Sequence, residues 1–440
     1  LNAASALAPA PVVDAPYPRP LTSWALVVLL TATYVCSFID RYMLGLLVGP
    51  IKADFRLSDS DIGLLAGPAF AIFYATIGLP LGWLADRRPR TLILAAGIAI
   101  WSLATAASGL AAGFAGLFVA RMLVGFGEAA LAPCALSMIS DSFAPERRGK
   151  PVGVYSAALA IGAGLAAIIG AKVLGLAAGG VDLPVLGRTE PWRFAFIAVG
   201  LPGLLLAALF LLVPEPARRS GPRAVGGFGA VFALVGRRFG AFGGAVALVC
   251  VMTIIAYSQG GFGPETFRRA FGWAPADYAK VNGTINLIVG PTAVFGTGAL
   301  IDWLKRRGVR DAAFRMLMAG FLLMVPLSAV AWLMPTPTTA FVGLALSSLG
   351  IATVTAAGII ALIEIAPPAM RGSIVALYYM AISITGLLLG PTTVGALSKH
   401  VFGEAHLASA MALTPALYGA LPLLALPLIA RAYRRRLAEV

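Results

Sequence analysis

The sequence predicts an all-α integral membrane protein, with twelve transmembrane helices in two six-helix pseudo-repeats. Composition comes first: of 440 residues, 59% are hydrophobic and 12% charged, with a mean hydropathy of +0.89. A soluble chain carries about 25% charged residues. Next come long apolar runs with short breaks, many of them long enough to span a bilayer. The third observation is an internal repeat. Gly82-Trp-Leu-Ala-Asp86-Arg87-Arg88-Pro89-Arg90 returns 216 residues later as Gly298-Ala-Leu-Ile-Asp302-Trp-Leu-Lys305-Arg306-Arg307. Pro145-Glu146-Arg147-Arg148-Gly149 returns 223 residues later as Pro368-Ala369-Met370-Arg371-Gly372, and Asp141 and Glu364 each lie seven residues before the matched arginine.

Spans are expected at about 22–48, 60–82, 91–110, 114–139, 151–178, 192–213, 241–262, 281–303, 312–334, 340–365, 374–398 and 411–432. The segments follow: an Ala/Pro-rich disordered cytoplasmic tail over 1–21, a six-helix half over 22–213, a cytoplasmic linker over 214–240 rich in Gly, Pro and Arg, a second half over 241–433, and a basic cytoplasmic tail over 434–440. With the N-terminus inside, the inner loops and termini hold about 22 Lys and Arg and the outer loops about 9. That asymmetry places both termini in the cytoplasm and the chain in a plasma (inner) membrane. The formal net charge of +14 therefore reflects orientation, and no nucleic-acid partner is expected. Cys36, Cys134 and Cys250 fall far apart inside apolar spans, with neither a disulfide framework nor a metal-site spacing. His400 and His406 lie in an outer loop, too sparse for a metal site. No metal and no cofactor is expected beyond a coupling proton.

A parallel repeat of two six-helix halves is a transporter architecture, with substrate bound between halves near the midplane. The charges that interrupt the spans are the candidates for its working parts. Arg121 and Glu128 stand seven residues apart in the fourth span, two helical turns or roughly 10 Å along one face. Asp40 and Arg41 stand in the first. Charges at that depth are costly and usually face a polar cavity or one another. The repeat does not reproduce them: Asp40 carried across lands near Ala256 and Tyr257, and Glu128 near Ile351. The four together are neutral when ionised and become +1 when one acid takes a proton. Burial raises a carboxylate pKa and a nearby guanidinium lowers it, so partner exchange can move it across working pH. Arginine stays protonated, so Glu128 and Asp40 are the expected proton carriers. Arg41 and Arg121 are their ion-pair partners, or bind an anionic head group. A purely structural ion network joining the two helices is the competing reading.

The repeated loop motifs suggest a cytoplasmic gate made of Asp86, Arg87, Arg90 and Asp141 in the first half and Asp302 and Glu364 in the second. Each acid of the pair Asp86 and Asp302 would sit at a neighbouring helix N-terminus, and nearby arginines would pair with Asp141 in the first half and Glu364 in the second. Tyr34, Tyr155, Tyr257, Gln259, Asn282, Asn286 and Tyr378 are polar span residues that either line a cavity or join helices. The glycines of the fifth span, Gly153, Gly162, Gly164 and Gly170, are expected to permit close helix packing.

These motifs resemble the major facilitator superfamily over nearly the whole chain. Three stretches are similar to its Spinster-type transporters: Asp40-Arg41-Tyr42; Arg121-x-x-Val124-Gly125-x-Gly127-Glu128-Ala129, continuing to Asp141 and Phe143; and Tyr155 followed by Ile161-Gly162-x-Gly164-Leu165. The resemblance implies carriage of lysolipids or sphingoid lipids, phosphorylated ones included, with a role for the charges of the first and fourth spans. Pro89 and Thr91 depart from the superfamily's loop pattern, which favours Gly and a basic residue there. The expected function is alternating-access secondary transport, proton-coupled, of a lipid-like or amphipathic organic anion by a monomer that is not an enzyme. A carrier of small water-soluble organic anions or drugs is the alternative within the class. An uncoupled scramblase or a membrane receptor is the alternative outside it.

Overall fold

The structure is a computed structural model and describes residues 16–144, 147–177, 179–183, 187–219, 228–367 and 370–439. Most of the expected N-terminal tail, the middle of the linker, and Pro145, Glu146, Pro368 and Ala369 of the repeated motifs lie outside the described residues. Sixteen α-helices follow in order among them: α1 Pro20–Leu46, α2 Val48–Phe55, α3 Asp59–Ala66, α4 Pro68–Ala85, α5 Arg90–Ser108, α6 Phe114–Glu128, α7 Leu131–Ser142, α8 Gly149–Ala177, α9 Pro191–Leu212, α10 Phe228–Arg237, α11 Phe239–Phe271, α12 Pro275–Arg306, α13 Ala312–Val330, α14 Pro337–Ile365, α15 Arg371–Leu397 and α16 Leu407–Ala438. Eleven stretches of the described chain are helical, long and apolar enough to cross a membrane; α8 holds a shorter apolar run, Gly164–Leu176.

Several spans are two helices, and proline is the reason. Pro50, Pro68 and Pro133 have no N–H to donate, and a proline disfavours helical geometry in the residue before it. The carbonyls left without that donor belong to Leu46 and Ala129, four residues before Pro50 and Pro133. There α1 gives way to α2 at Leu47, and α6 gives way to α7 after Glu128. Gly67, immediately before Pro68, departs from helical geometry and separates α3 from α4. Glu128 is thus the last residue of a helix within a membrane span.

The chain divides into two compact units, Leu1–Arg56 with Ala69–Arg223, and Leu57–Pro68 with Ala224–Val440. Residues 57–68 therefore group with the second unit, although the repeat reading assigns them to the first half. In the first unit α1 lies along α8, and α5 along α6 and α9. Glycine allows these approaches. A methyl on Gly127 would stand 2.4 Å from the Gly97 carbonyl oxygen and 2.8 Å from the Trp101 nitrogen, and one on Gly125 would stand 2.3 Å from the Phe70 carbonyl oxygen. On α8, Gly162 abuts the Phe38 ring and Gly170 abuts Leu46 and Met43, whereas Gly153 faces open space. Gly127→Ala is accordingly expected to cost about 1–3 kcal/mol as overpacking against backbone. Gly153→Ala should be neutral or gain up to about 1 kcal/mol of helix propensity. Thermal unfolding of both variants in detergent checks the pair, and equal midpoints would contradict the packing account.

In the second unit α13 packs on α14, α11 on α15 and α16, and α3 on α15. Its core joins Leu248, Phe314, Phe321, Met324, Leu362 and Tyr433, with Phe314 stacked on Tyr433 at 4.3 Å.

Four features depart from the sequence expectation. First, α11 runs to Phe271, nine residues past the expected end, because Glu265 pairs with Arg268 and Arg269 one turn on and the polar stretch remains helical. Second, the loop after α8 carries a short antiparallel hairpin, Val181–Leu183 with Gly187–Thr189. Third, residues 16–19 are held in place, since Arg219 donates to the Pro16 carbonyl and covers the Tyr17 ring at 3.8 Å. Finally, the linker contains a helix, α10, that buries Val231 and exposes Phe232.

Candidate functional site

The proline break after α6 leaves Glu128 facing α1, where Asp40 and Arg41 are adjacent and lie about one turn after Ser37. Glu128, Asp40 and Arg121 are each 1–2% exposed. Arg41 donates to Glu128 Oε2 through Nε at 2.8 Å and also through its terminal nitrogen, and Ser37 Oγ donates to the same oxygen at 2.8 Å. Arg121 reaches Asp40 Oδ1 at 3.4 Å, longer than the usual 2.7–3.2 Å of an N–H···O hydrogen bond. Arg121 and Glu128, neighbours on one helical face, therefore pair not with each other but each with a residue of α1.

The two carboxylates share one asymmetry. Glu128 Oε1 and Asp40 Oδ2 are buried and accept no hydrogen bond among the described residues. A buried acceptor without a donor is costly, and on a carboxylate a proton relieves that cost. Aromatic rings surround the guanidinium of Arg41: Phe70 at 4.7 Å, Tyr74 at 5.2 Å and Phe38 at 5.6 Å. Tyr155 stacks on Tyr34 at 5.1 Å. Tyr155 and Tyr378 are each 4% exposed, so both belong to packing rather than to an open wall. Tyr34, Tyr257, Gln259, Asn282 and Asn286 are half-buried, and Asn286 Oδ1 accepts from Ser348 Oγ at 3.2 Å.

At the end of the first unit that carries the basic loops, Arg90 is fully buried. It pairs with Asp141 and donates to Ser137 Oγ at 2.8 Å, Glu215 Oε1 at 2.7 Å and the Pro216 carbonyl at 2.7 Å. Glu215 Oε2 accepts from the Thr91 N–H at 2.9 Å, so the acid at the α5 N-terminus is Glu215. Asp86, expected in such a place, is exposed and has no ion pair among the described residues. Arg87 lies instead over the Trp83 ring at 4.0 Å. The reason is reach: an acid in the linker sits beneath α5, while Asp86 ends the last turn of α4 and points to solvent. An isolated acid flanked by Pro214 and Pro216, directly after an apolar span, was the available signal.

The matching end of the second unit differs in its partners. Glu364 pairs with Lys305 at 2.5 Å and accepts from the Tyr433 hydroxyl at 2.9 Å. Asp302 is exposed and unpaired among the described residues, and Arg371 reaches only the Ala366 carbonyl, at 3.4 Å. Asp311 takes the ionic role there. Burial would raise its pKa, but hydrogen bonds from Arg434 and Arg315 hold it below the usual carboxylate value. A depressed folded-state pKa stabilises above the unfolded value near 3.9 and is lost as pH falls through the folded value. Asp311→Asn should thus lower the unfolding midpoint at pH 7, and its difference from wild type should shrink as pH falls below about 3.9. A difference that persisted undiminished at pH 3 would contradict the ionic role.

One cluster has no counterpart in the sequence reading. Asp59, fully buried at the start of α3, receives both terminal nitrogens of Arg269 at 2.7 and 2.8 Å and Ser398 Oγ at 2.6 Å. Arg269 also donates to Glu265 Oε1 and to the Glu404 carbonyl, each at 2.7 Å, and Glu404 Oε1 accepts from the Asp59 N–H at 2.7 Å. Three stretches of chain, at 59, 265–269 and 398–404, meet in this cluster; Asp59 lies 210 residues from Arg269, and Glu404 135.

A model of the Major Facilitator Superfamily matches residues 30–391. The chain belongs to that superfamily. An "MFS-type efflux pump" of Mycolicibacterium smegmatis is 27% identical over 391 residues, 87% of this chain and 86% of that protein. A crystal structure of a bacterial homologue of the human lysosomal transporter Spinster, inward-facing and unoccupied, superposes with a TM-score of 0.78 at 25% identity, covering 96% of this chain and 98% of that one. Protein spinster homolog 1 of Homo sapiens is 31% identical over 202 residues, 45% of this chain and 36% of its own length. The matched region spans about a third of such Spinster proteins. A secondary transporter of Spinster type, multi-pass in its membrane, is what these likenesses and the fold describe together.

Proposed function

We propose that this transporter is proton-coupled and moves a lipid-like or amphipathic organic anion, with Glu128 and Asp40 as the proton carriers. The observation that carries this reading is the pair of buried carboxylate oxygens, Oε1 and Oδ2, that accept no hydrogen bond beside two guanidinium groups. The cluster is neutral when fully ionised, so each proton taken neutralises one carboxylate, leaves a buried guanidinium without its counter-charge and removes the attraction that holds Arg41 or Arg121 to its partner. An anionic head group can then replace the neutralised carboxylate on the arginine, by charge-assisted hydrogen bonds. Exchange of carboxylate for substrate on one guanidinium couples the two. The ring of Phe38, Phe70 and Tyr74 around Arg41 suits an anion that carries an apolar tail.

The Arg90 cluster acts in this reading as a fixed brace and the exposed Asp86 and Asp302 as parts of the gate on the cytoplasmic side, with both termini inside, in a monomer of the plasma membrane. A second reading, transport of a small water-soluble organic anion, draws on a "Probable L-galactonate transporter" of Escherichia coli that is 34% identical over 174 residues, 39% of this chain.

Reconstituted liposomes test both. Lysophosphatidate or sphingoid phosphate should accumulate under an imposed pH difference and stop when an ionophore collapses it. Uptake indifferent to the gradient would refute coupling. Accumulation of a sugar acid but of neither lipid would replace the first substrate class by the second.

A further inference from the structure

Glu128 and Asp40 each meet one guanidinium, and a guanidinium only donates. It grips a carboxylate and loses most of that grip when the acid is protonated. A hydroxyl both donates and accepts. We propose that Ser37 and Thr105 are positioning residues for proton transfer, one hydroxyl for each acid, which keep Glu128 and Asp40 hydrogen-bonded in both charge states. The inference rests on the reading of these acids as proton carriers.

The direction of the two hydroxyls is the first argument. A buried hydroxyl within a helix can return to the carbonyl one turn back, as those of Thr33, Ser108, Thr266 and Thr414 do. Ser37 and Thr105 are fully buried and differ. Ser37 gives its O–H to Glu128 Oε2 at 2.8 Å. Thr105 Oγ1 makes no hydrogen bond among the described residues, yet its hydroxyl lies near enough to Asp40 to act on the carboxyl. Asp40 Oδ2 accepts none either. Two buried polar atoms without partners thus belong to neighbouring side chains, and the broad terminal torsion of aspartate lets a small rotation join them. Ser102, the other unpartnered hydroxyl of α5, lies against Gly203 of α9 instead.

Packing is the second argument. Gly97 of α5 meets Gly127 of α6, and the short connection between these helices makes them antiparallel. About two turns from that contact, α5 has reached Thr105 and α6 has reached Arg121. Arg121 is the partner of Asp40 and holds Oδ1 alone, at 3.4 Å, which leaves Oδ2 to the threonine. The other charged and titratable groups here are Arg41, the two acids themselves and the Cys36 thiol, with Tyr74 and Tyr155 beside Arg41. A thiol is a weak donor and acceptor, so the two hydroxyls are the groups suited to a neutral carboxyl. While the acid is ionised, the hydroxyl donates to a carboxylate oxygen. Once that oxygen takes a proton, its O–H donates to the Ser or Thr oxygen, and the guanidinium can turn to an anionic substrate with the acid still in place.

The test needs no substrate. Infrared difference spectra of the full chain in detergent, taken through a pH titration, follow the C=O stretch of each protonated carboxyl. The two bands are assigned by their loss in Glu128→Gln and Asp40→Asn. Removing a hydroxyl deprives the ionised acid of a charge-assisted bond and the protonated acid of a weaker neutral one, so the proton binds more readily. Ser37→Ala should raise the pH midpoint of the Glu128 band, and the isosteric Thr105→Val that of the Asp40 band, each by roughly one unit. Both bands should also change frequency, because the protonated carboxyl loses its partner too. Thr105→Ser, which keeps the hydroxyl, should hold the wild-type midpoint. Bands that titrate in wild type and stay unmoved in Ser37→Ala and Thr105→Val overturn the positioning role and leave the proton carriers standing. A midpoint that moves without a change in frequency confines the hydroxyl to the ionised acid and overturns its role in both states. Equal shifts in Thr105→Ser and Thr105→Val make the effect one of packing and overturn it as well. A wild type with no titrating band that Glu128→Gln or Asp40→Asn removes overturns the proton-carrier reading, and this inference with it.

Discussion

Glu128→Gln is expected to abolish proton-driven accumulation of substrate while leaving the chain folded. Glutamine keeps the shape of the carboxylate and an oxygen for Ser37 and Arg41, whose hydrogen bonds to Oε2 are the contacts the side chain makes. It cannot take the negative charge, so the cluster of Asp40, Arg41, Arg121 and residue 128 stays at +1, the charge of the protonated state. With one proton per substrate, a gradient of one pH unit can hold about a tenfold accumulation, from about 1.4 kcal/mol per unit. The variant should equilibrate substrate to a ratio near one and respond no longer to the gradient. Counterflow, which needs no net proton movement, should survive. Accumulation at the wild-type level in Glu128→Gln would remove this residue from the coupling scheme. Loss of counterflow together with a lower unfolding midpoint would make the ion pair structural, the reading that competes with coupling.

Arg269→Gln is expected to give the largest loss of stability of any single change in the second unit. The guanidinium neutralises Asp59, which is fully buried, and shares the charge of Glu265, which is 1% exposed. Removing one partner of a buried pair leaves the other uncompensated and typically costs about 3–5 kcal/mol. Arg269→Lys keeps the charge but lacks the planar fork that grips both oxygens of Asp59, and should fall between. Lys280→Gln serves as the control, since Lys280 and Asp277 form an exposed pair on one helix and should be worth less than about 1 kcal/mol. Arg269 also ties α3 to the end of α11, beside the packing of α3 on α15, so hydrogen exchange over 59–66 should speed up in Arg269→Gln. Unfolding midpoints for Arg269→Gln and Lys280→Gln that coincide would show that the convergence on Arg269 is not stabilising.

Much of the fold is legible in the chain because membrane physics acts on composition and period. Every backbone group within the apolar layer must bond internally, so long apolar runs become helices, as at Pro191–Leu212 and Pro337–Ile365. The four buried charges are legible for the same reason, since a charge in an apolar run has to be used or paired. Less legible were features where a local residue competes with the run. Two prolines, Pro68 and Pro133, break spans that read as continuous, and polar residues at the end of α11 read as loop because their intrahelical partners lie at i+3 and i+4.

Pairing was harder still. Helical spacing puts Arg121 and Glu128 on one face, but a guanidinium binds whichever carboxylate the packing brings near, and α1 brings Asp40 to one and Arg41 to the other. The same holds for Arg90, which meets Glu215 across 125 residues, and for Asp59, which meets Arg269 across 210. The chain by itself determined that this is a polytopic helical membrane protein of two repeated halves, with ionisable residues buried in the first. Those are consequences of hydrophobicity and period, which act along the sequence. Tertiary structure alone decided which acid meets which base, which carboxylate oxygens remain without a donor, and that Asp59 rather than a repeated loop acid is locked most tightly. Coulombic partners are chosen by distance in space, and sequence separation carries almost none of that information.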